Sequence, residues 1–295
     1  MLEIKNVSKS FGNKEVIKDL SLKVEAGSIF GLVGVNGAGK STLLRIIAGV
    51  YEPDGGSVLF DGKNTLTSFG VRSKISFVSE ETNFPFGATM EALRGTYENF
   101  YDFDRKRYKE LLAIFGVDEK AVVNNLSKGM KRRVSLVFAL STKPSLLLLD
   151  EAYDGLEPLA RYKLKIILAD LVADGTTVVI SGHNLRELED ICDSFGILDG
   201  GNFKESGDLI SAKSELNKYQ IAYEDEKERD YFENMGFDIL RFEREGQVVQ
   251  MVVKGSQDEI ESALSATCPL LLNVLPVNFE ELFIYEVEGG DDNVG

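Results

Sequence analysis

The octapeptide Gly34-Val35-Asn36-Gly37-Ala38-Gly39-Lys40-Ser41 carries the strongest chemical signal in the chain. Glycine, four residues, then Gly-Lys-Ser is the spacing of a loop that cradles a polyphosphate. Glycines let the backbone wrap phosphate oxygens closely. Amide N–H groups and the N-terminus of the following helix point positive charge at the anion. Lys40 adds a point charge near the β and γ phosphates, and the Ser41 hydroxyl can ligate Mg²⁺. The apolar run Ile29–Val33 precedes the loop and the helical run Ser41–Ala48 follows it. That strand–loop–helix setting is the one the motif requires.

A second constellation ends the run Leu146-Leu147-Leu148-Leu149-Asp150-Glu151. Four leucines make a buried strand, with two carboxylates at its C-terminal end, the edge where open α/β sheets bind ligands. Asp150 is suited to the Mg²⁺ hydration shell. Glu151 is suited to orient or polarise a water attacking a γ-phosphate. His183, the one histidine in the chain, follows the apolar run Thr177–Ser181. Its place after a core strand makes it a further candidate at the same edge.

These residues need a sheet to converge. Leu2–Val7, Leu20–Val24, Ile29–Val33, Val58–Phe60, Ile75–Val78, Leu146–Leu149, Thr177–Ser181 and Phe195–Leu198 are rich in Val, Ile and Leu and read as strands. Helical patterns such as Lys106–Phe115 and Pro158–Ala173 lie between them. The alternation predicts an α/β fold: a mostly parallel sheet covered by helices. The early strands lie too close together for crossover helices and predict an antiparallel side sheet. Residues 85–137 hold no strong strand and predict a helical insertion. After Asp208 the pattern becomes strand, helix, two strands, helix, strand. Tyr219–Tyr223, Phe237–Phe242, Gln247–Val253 and Leu271–Leu275 are the strands, and Glu226–Met235 and Ser256–Ser265 the helices. That order predicts a small ferredoxin-like α+β domain, closed by a helix over Phe279–Glu286. The expected domains are 1–210 and 215–288, with a disordered tail over 289–295.

Leu126-Ser127-Lys128-Gly129-Met130 lies between the two constellations. With it the chain resembles the ATP-binding cassette ATPases, whose signature usually reads Leu-Ser-Gly-Gly-Gln. The resemblance spans about residues 1–210 and implies a P-loop NTPase (RecA-like) core that binds ATP and Mg²⁺ and hydrolyses ATP. It places Gly34, Asn36, Gly37, Ala38, Gly39, Lys40, Ser41 and Thr42 around the nucleotide. Phe11 matches the aromatic residue that stacks on adenine. Ser41, Asp150 and Glu80 are the implied metal ligands, Glu80 standing where the family usually has glutamine. Ser127 and Gly129 would touch the nucleotide held by a second cassette, so the resemblance implies a homodimer or heterodimer. Glu151, His183 and Lys40 are the implied catalytic residues, His183 contacting the γ-phosphate. Glu157 replaces the usual aspartate of the loop after Glu151. Asn278-Phe279-Glu280-Glu281-Leu282-Phe283 is similar to the ending of bacterial exporter ATPases.

Composition narrows the role. At 295 residues, with 43% hydrophobic side chains and 6 prolines, the chain is neither disordered nor collagen-like. Two cysteines, Cys192 and Cys268, exclude a disulfide framework and fit a reducing compartment. No apolar run reaches about 18 residues, so a membrane permease would be a separate polypeptide. The N-terminus lacks a signal-peptide pattern. The expected location is therefore cytoplasmic, peripheral on the membrane through that permease. Net charge is −15, and residues 211–295 hold 7 of the 33 basic but 19 of the 48 acidic side chains. Such a surface repels nucleic acid. The leading expectation is the ATPase subunit of a bacterial exporter. It would dock near Glu80–Leu93, where Phe84, Pro85 and Phe86 offer an apolar spot. The alternatives are a soluble cassette ATPase acting on nucleic acid or the ribosome, and a metabolic kinase.

Overall fold

The structure, a computed structural model, describes residues 1–288. The expected disordered tail, 289–295, lies outside the described residues. The chain divides into two compact units, Met1–Ser206 and a second that begins at Gly207.

In chain order the first unit contains β1 (Leu2–Phe11), β2 (Lys14–Val24), β3 (Ile29–Val33), α1 (Lys40–Ile47), β4 (Gly55–Phe60), β5 (Lys63–Asn64), α2 (Phe69–Arg72), β6 (Ile75–Val78), α3 (Met90–Phe100), α4 (Arg105–Phe115), α5 (Lys128–Ser141), β7 (Leu146–Leu149), α6 (Pro158–Ala173), β8 (Thr177–Ser181), α7 (Leu185–Glu189) and β9 (Ser194–Asp199), and β10 (Asn202–Asp208) leads out of it. The core sheet has the order β10-β9-β3-β8-β7-β6, and the pairs from β6 through β9 are parallel. Every residue of β3, β7 and β8 is buried, which is why these strands read as unbroken apolar runs. β1, β2, β4 and β5 form the antiparallel side sheet, in the order β2-β1-β4-β5. Leu2, Ile4 and Val7 of β1 and Leu43, Ile46 and Ile47 of α1 share one core with Phe30 and Leu32 of β3. That core seats α1 and the loop before it on the sheet.

The insertion is helical, with one isolated bridge between Thr89 and Val122. Its helices are held by aromatic packing. Tyr97 of α3 stacks on Phe138 of α5 at 4.8 Å between ring centroids, and Tyr108 of α4 lies 5.5 Å from the same ring. Phe138 therefore anchors α5, whose N-terminus carries the signature residues.

The second unit runs α8 (Leu209–Ser214), β11 (Leu216–Ala222), α9 (Arg229–Glu233), β12 (Asp238–Glu245), β13 (Val248–Lys254), α10 (Gln257–Ala266), β14 (Leu271–Leu275) and α11 (Phe279–Glu288). Its antiparallel sheet has the order β12-β13-β11-β14, the ferredoxin-like arrangement. Tyr219, Ile221, Val249, Met251 and Val253 pack one sheet face against Phe232 of α9 and Ile260 and Leu264 of α10. Asn278 and Glu281 open α11 as a reciprocal cap: Glu281 N–H donates to Asn278 Oδ1 at 2.9 Å, and Asn278 N–H to Glu281 Oε2 at 3.1 Å. The helix expected over Glu226–Met235 is shorter, Arg229–Glu233. β12 continues to Glu245, past the expected Phe242, so the hairpin turn falls at Gly246-Gln247.

Candidate active site

Parallel register brings the sequence candidates to one rim. Val78 pairs with Leu149, Leu149 with Ile180, and Leu32 with Ser181. The residues that leave the C-terminal ends of β3, β6, β7 and β8 are therefore Gly34, Ser79, Asp150 and Gly182. Within the core sheet, the strand that precedes β6 in sequence, β3, lies three places away from it. This gives the crevice that α/β sheets use for ligands.

The loop after β3 wraps into α1. Gly39 has φ +110°, and a Cβ there would lie 2.9 Å from Ile17 Cδ1 and 3.0 Å from the Val16 carbonyl. Only glycine fits so close to β2 in that conformation. No side chain caps α1 and no acid lies in its first turn, which leaves its N-terminus to an anion. Val35, Asn36 and Gly37 are exposed, Gly34, Ala38, Gly39 and Lys40 are buried, and Ser41 and Thr42 are half-buried. Lys40 Nζ donates to the Gly34 carbonyl at 2.6 Å and lies 3.7 Å from Glu151 Oε1.

Asp150 is fully buried. Its Oδ1 accepts from Ser41 Oγ at 3.0 Å and from Ser181 Oγ at 2.8 Å. Its Oδ2 is buried with no hydrogen-bond partner. An orphaned carboxylate oxygen beside a serine hydroxyl fits a hard cation, since leaving a buried charged acceptor unsatisfied costs upwards of about 1–3 kcal/mol. The donor set thus suits Mg²⁺.

Glu151 has φ +49°, the left-handed region. Such a conformation costs about 1–3 kcal/mol for a non-glycine residue and persists only where neighbours impose it. Ser181 Oγ accepts from the Glu151 N–H at 3.0 Å, and Arg132 Nη2 donates to the Glu151 carbonyl at 3.3 Å. The carboxylate Oε2 lies 3.0 Å from His183 Nδ1, and His183 Nε2 lies 3.9 Å from Asp154 Oδ1. Lys40, Ser41, Asp150, Glu151 and His183 are thus brought together.

The signature residues occupy the start of α5. Ser127 Oγ accepts from Met130 N–H at 3.3 Å and caps the helix. A Cβ on Gly129 would lie 2.7 Å from the Gly155 carbonyl, so the glycine is required for contact with the loop after Glu151. Glu157 of that loop pairs with Arg133 at 2.9 Å. Glu80 is exposed, and among the described residues no hydrogen bond or ion pair joins it to Ser41 or Asp150. Phe11, 46% exposed, meets Tyr51 edge-on at 5.6 Å, with Lys9 Nζ 5.7 Å from the Phe11 ring centroid. An exposed, braced ring offers a face to a nucleobase.

Four further residues reach the site. Ser181 is the polar end of a fully buried strand. Arg132 lies in the basic run that follows the signature, and Asp154 opens the loop after Glu151, but their partners, like that of Tyr51, are given by spatial pairing.

Fold and rim together define a P-loop nucleotide-hydrolysing cassette. The family model described as ABC transporter matches residues 17–154. The chain is 32% identical over 291 residues to the ABC transporter ATP-binding protein YtrB of Bacillus subtilis (strain 168), covering 98% of this chain and 99% of that protein. It is 36% identical over 207 residues to Nod factor export ATP-binding protein I of Rhizobium leguminosarum bv. viciae, covering 68% of this chain and 67% of that one. Among solved structures, an ATP-binding cassette dimer in a post-hydrolysis state with ADP and Pi superposes with a TM-score of 0.64 at 27% identity, over 71% of this chain and 99% of that one. The chain belongs to the ABC transporter family, as an ATP-binding and ATP-hydrolysing subunit. Such subunits dimerise and work with transmembrane components. No described helix is long and apolar enough to cross a membrane. These relatives lend no support to the nucleic-acid alternative.

Proposed function

We propose that the chain is the ATPase subunit of an exporter, with the first unit as nucleotide-binding domain, residues 85–137 as its helical subdomain and the second unit as an acidic accessory domain. The observation that carries the site is the convergence of Lys40, Ser41, Asp150 and Glu151 within hydrogen-bond or ion-pair reach at one sheet edge. In this reading the N–H groups of residues 34–42 and the Lys40 ammonium bind the phosphates. Ser41, Asp150 and Glu80 would hold Mg²⁺, which when bound neutralises charge on the β- and γ-phosphate oxygens. Glu151 orients the attacking water and takes up its proton. His183, hydrogen-bonded to Glu151, steadies that carboxylate and faces the γ-phosphate. Ser127 and Gly129 meet the nucleotide of the second cassette, identical or not. Export, rather than import, is supported by the likeness to the Nod factor export protein along with the ending that begins at Asn278.

Phe11 stacks on adenine in this reading. Base–aromatic stacking is worth about 1–3 kcal/mol, so Phe11→Ala should raise the KM for ATP about tenfold and leave kcat nearly unchanged. An unchanged KM would remove Phe11 from the site.

The permease binds the helical insertion in this reading, which places the chain on the cytoplasmic face of the membrane. Phe86 is fully solvent-exposed. A groove of about 380 Å³ is lined by Phe69, Arg72, Tyr97, Phe100 and Tyr101, with Phe69 and Phe100 more than half exposed. Such apolar surface marks a docking site. Tagged protein carrying Glu151→Gln, extracted from its own cells in mild detergent with ATP, should retain a stoichiometric multi-spanning polypeptide. Adding Phe86→Asp or Phe100→Asp should release it. In the otherwise wild-type chain, these two substitutions should leave ATP hydrolysis by the isolated protein intact. Recovery of the parent protein only as a soluble dimer, or with ribosomes or DNA, overturns the transport reading.

A further inference from the structure

Arg132 is 2% exposed and lies in the second turn of the helix that Ser127 caps. Its guanidinium reaches three peptide carbonyls on two other elements. Nη1 donates to the Asp150 carbonyl at 3.3 Å and to the carbonyl of Ser79, the residue before Glu80. Nη2 donates to the Glu151 carbonyl at 3.3 Å. Among the described residues no carboxylate oxygen hydrogen-bonds to it. Burial pulls the guanidinium below the usual arginine range, and the charges of Asp150, Asp154, Glu80 and Glu151 oppose that pull. A guanidinium stays protonated in proteins. The site therefore keeps a fixed buried cation whose hydrogen bonds all go to backbone.

Those bonds fall where the backbone needs holding. Glu151 is left-handed at φ +49°, with its N–H fixed by Ser181 and its carbonyl shared by Arg132 and the Asp154 N–H. The Ser79 bond adds the strand end that carries Glu80. The planar fork carries its donors on separate nitrogens, so Nη1 and Nη2 reach carbonyls on two elements; a lysine has three donors, but all on one atom.

We infer, on the nucleotide-site reading above, that Arg132 is a positioning residue that clamps the strained backbone of Glu151 and links it to the segment bearing Glu80. Movement of that segment then reaches the catalytic carboxylate through one side chain.

Arg132→Lys, Arg132→Gln and Arg132→Met test the clamp, by steady-state ATP hydrolysis alongside binding of a fluorescent ATP analogue. A misplacement on the ångström scale costs up to about 100-fold. The Gln and Met variants should lose about 10- to 100-fold in kcat while nucleotide affinity shifts less than about threefold, with Lys recovering part of the rate. Glu80→Ala supplies the second arm. As a metal ligand in this reading, Glu80 should matter in both backgrounds, but the part of its effect that passes through the clamp is lost in Arg132→Gln, so the fold-loss in kcat should be clearly smaller there than in the wild-type chain. If Arg132→Met fails to bind nucleotide, the Lys and Gln proteins decide by the same comparison. A kcat within about twofold of wild type in nucleotide-binding Arg132→Gln overturns the clamp. Independent, multiplying effects of Glu80 and Arg132 overturn the link. Glu151→Gln run in parallel separates the two levels. Normal turnover there means the site reading itself has failed. An inactive Glu151→Gln beside fully active Arg132 variants means that only the clamp has.

Discussion

Glu151→Gln is expected to bind ATP as the wild type does and to hydrolyse it about 10²–10⁴-fold more slowly, the range in which a positioned general base contributes. Glutamine has the shape of glutamate, so the contact with His183 at 3.0 Å and the left-handed backbone can survive the change. What is lost is the proton acceptor and a negative charge 3.7 Å from Lys40 Nζ. Binding separates those two losses. The pair is buried, and breaking a buried pair costs about 3–5 kcal/mol, a loss that also reaches the phosphate-binding lysine and so ATP affinity. A fall in rate beyond about 100-fold with ATP affinity unchanged therefore reports the base rather than the pair. The measurements are phosphate release in a single turnover and gel filtration with ATP. The variant should accumulate as an ATP-bound dimer, because the closed state is no longer discharged. Near-normal turnover would take Glu151 out of the chemistry and leave Asp150 and its neighbours as a binding site only.

How much of this was legible depended on whether neighbours in space are also neighbours in sequence. Strands β3, β6, β7 and β8 lie where the apolar runs placed them, because strands buried on both faces are made mostly of Val, Ile, Leu and Phe. β2 starts at Lys14, before the expected Leu20. In its first half only Ile17 is buried, so no clean alternation marks it, and the facing β1 shifts register at several points. β10 carries no apolar run: Asn202–Asp208 is polar along most of its length and is recognisable only as the strand beside β9. The site divides the same way. Lys40 with Ser41, and Asp150 with Glu151, are adjacent in the chain and identify themselves by spacing. Ser181 joins them only because β8 lies between β3 and β7, and Arg132 only because α5 aims it at the ends of β6 and β7. Such partners are set by topology, which a linear pattern does not encode.

Lys40→Ala should fail at the step that Glu151→Gln preserves. Lys40 is 6% exposed, and its ammonium is already drawn into the loop by the Gly34 carbonyl at 2.6 Å and the Val35 carbonyl at 3.4 Å. It thus braces the shape of the cradle and supplies its one side-chain cation. Alanine keeps the helix, being the best helix former, so α1 and its N-terminal N–H groups should remain. Losing one member of a buried, hydrogen-bonded charge pair costs about 2–5 kcal/mol, and each 1.4 kcal/mol is about tenfold. ATP affinity should therefore fall by about 100-fold or more, with no ATP-induced dimer at concentrations that saturate the wild type. Lys40→Arg keeps the charge but brings a larger planar group into a buried slot, so it should recover binding only in part. Titration of a fluorescent nucleotide against the three proteins gives the order wild type, Lys40→Arg, Lys40→Ala. The contrast with Glu151→Gln is the stronger test, since a site that merely misfolds would lose binding in both variants. If Lys40→Ala binds ATP like the wild type, the loop and helix N–H groups alone hold the phosphates, and the lysine acts later, on charge that develops as the γ-phosphate leaves.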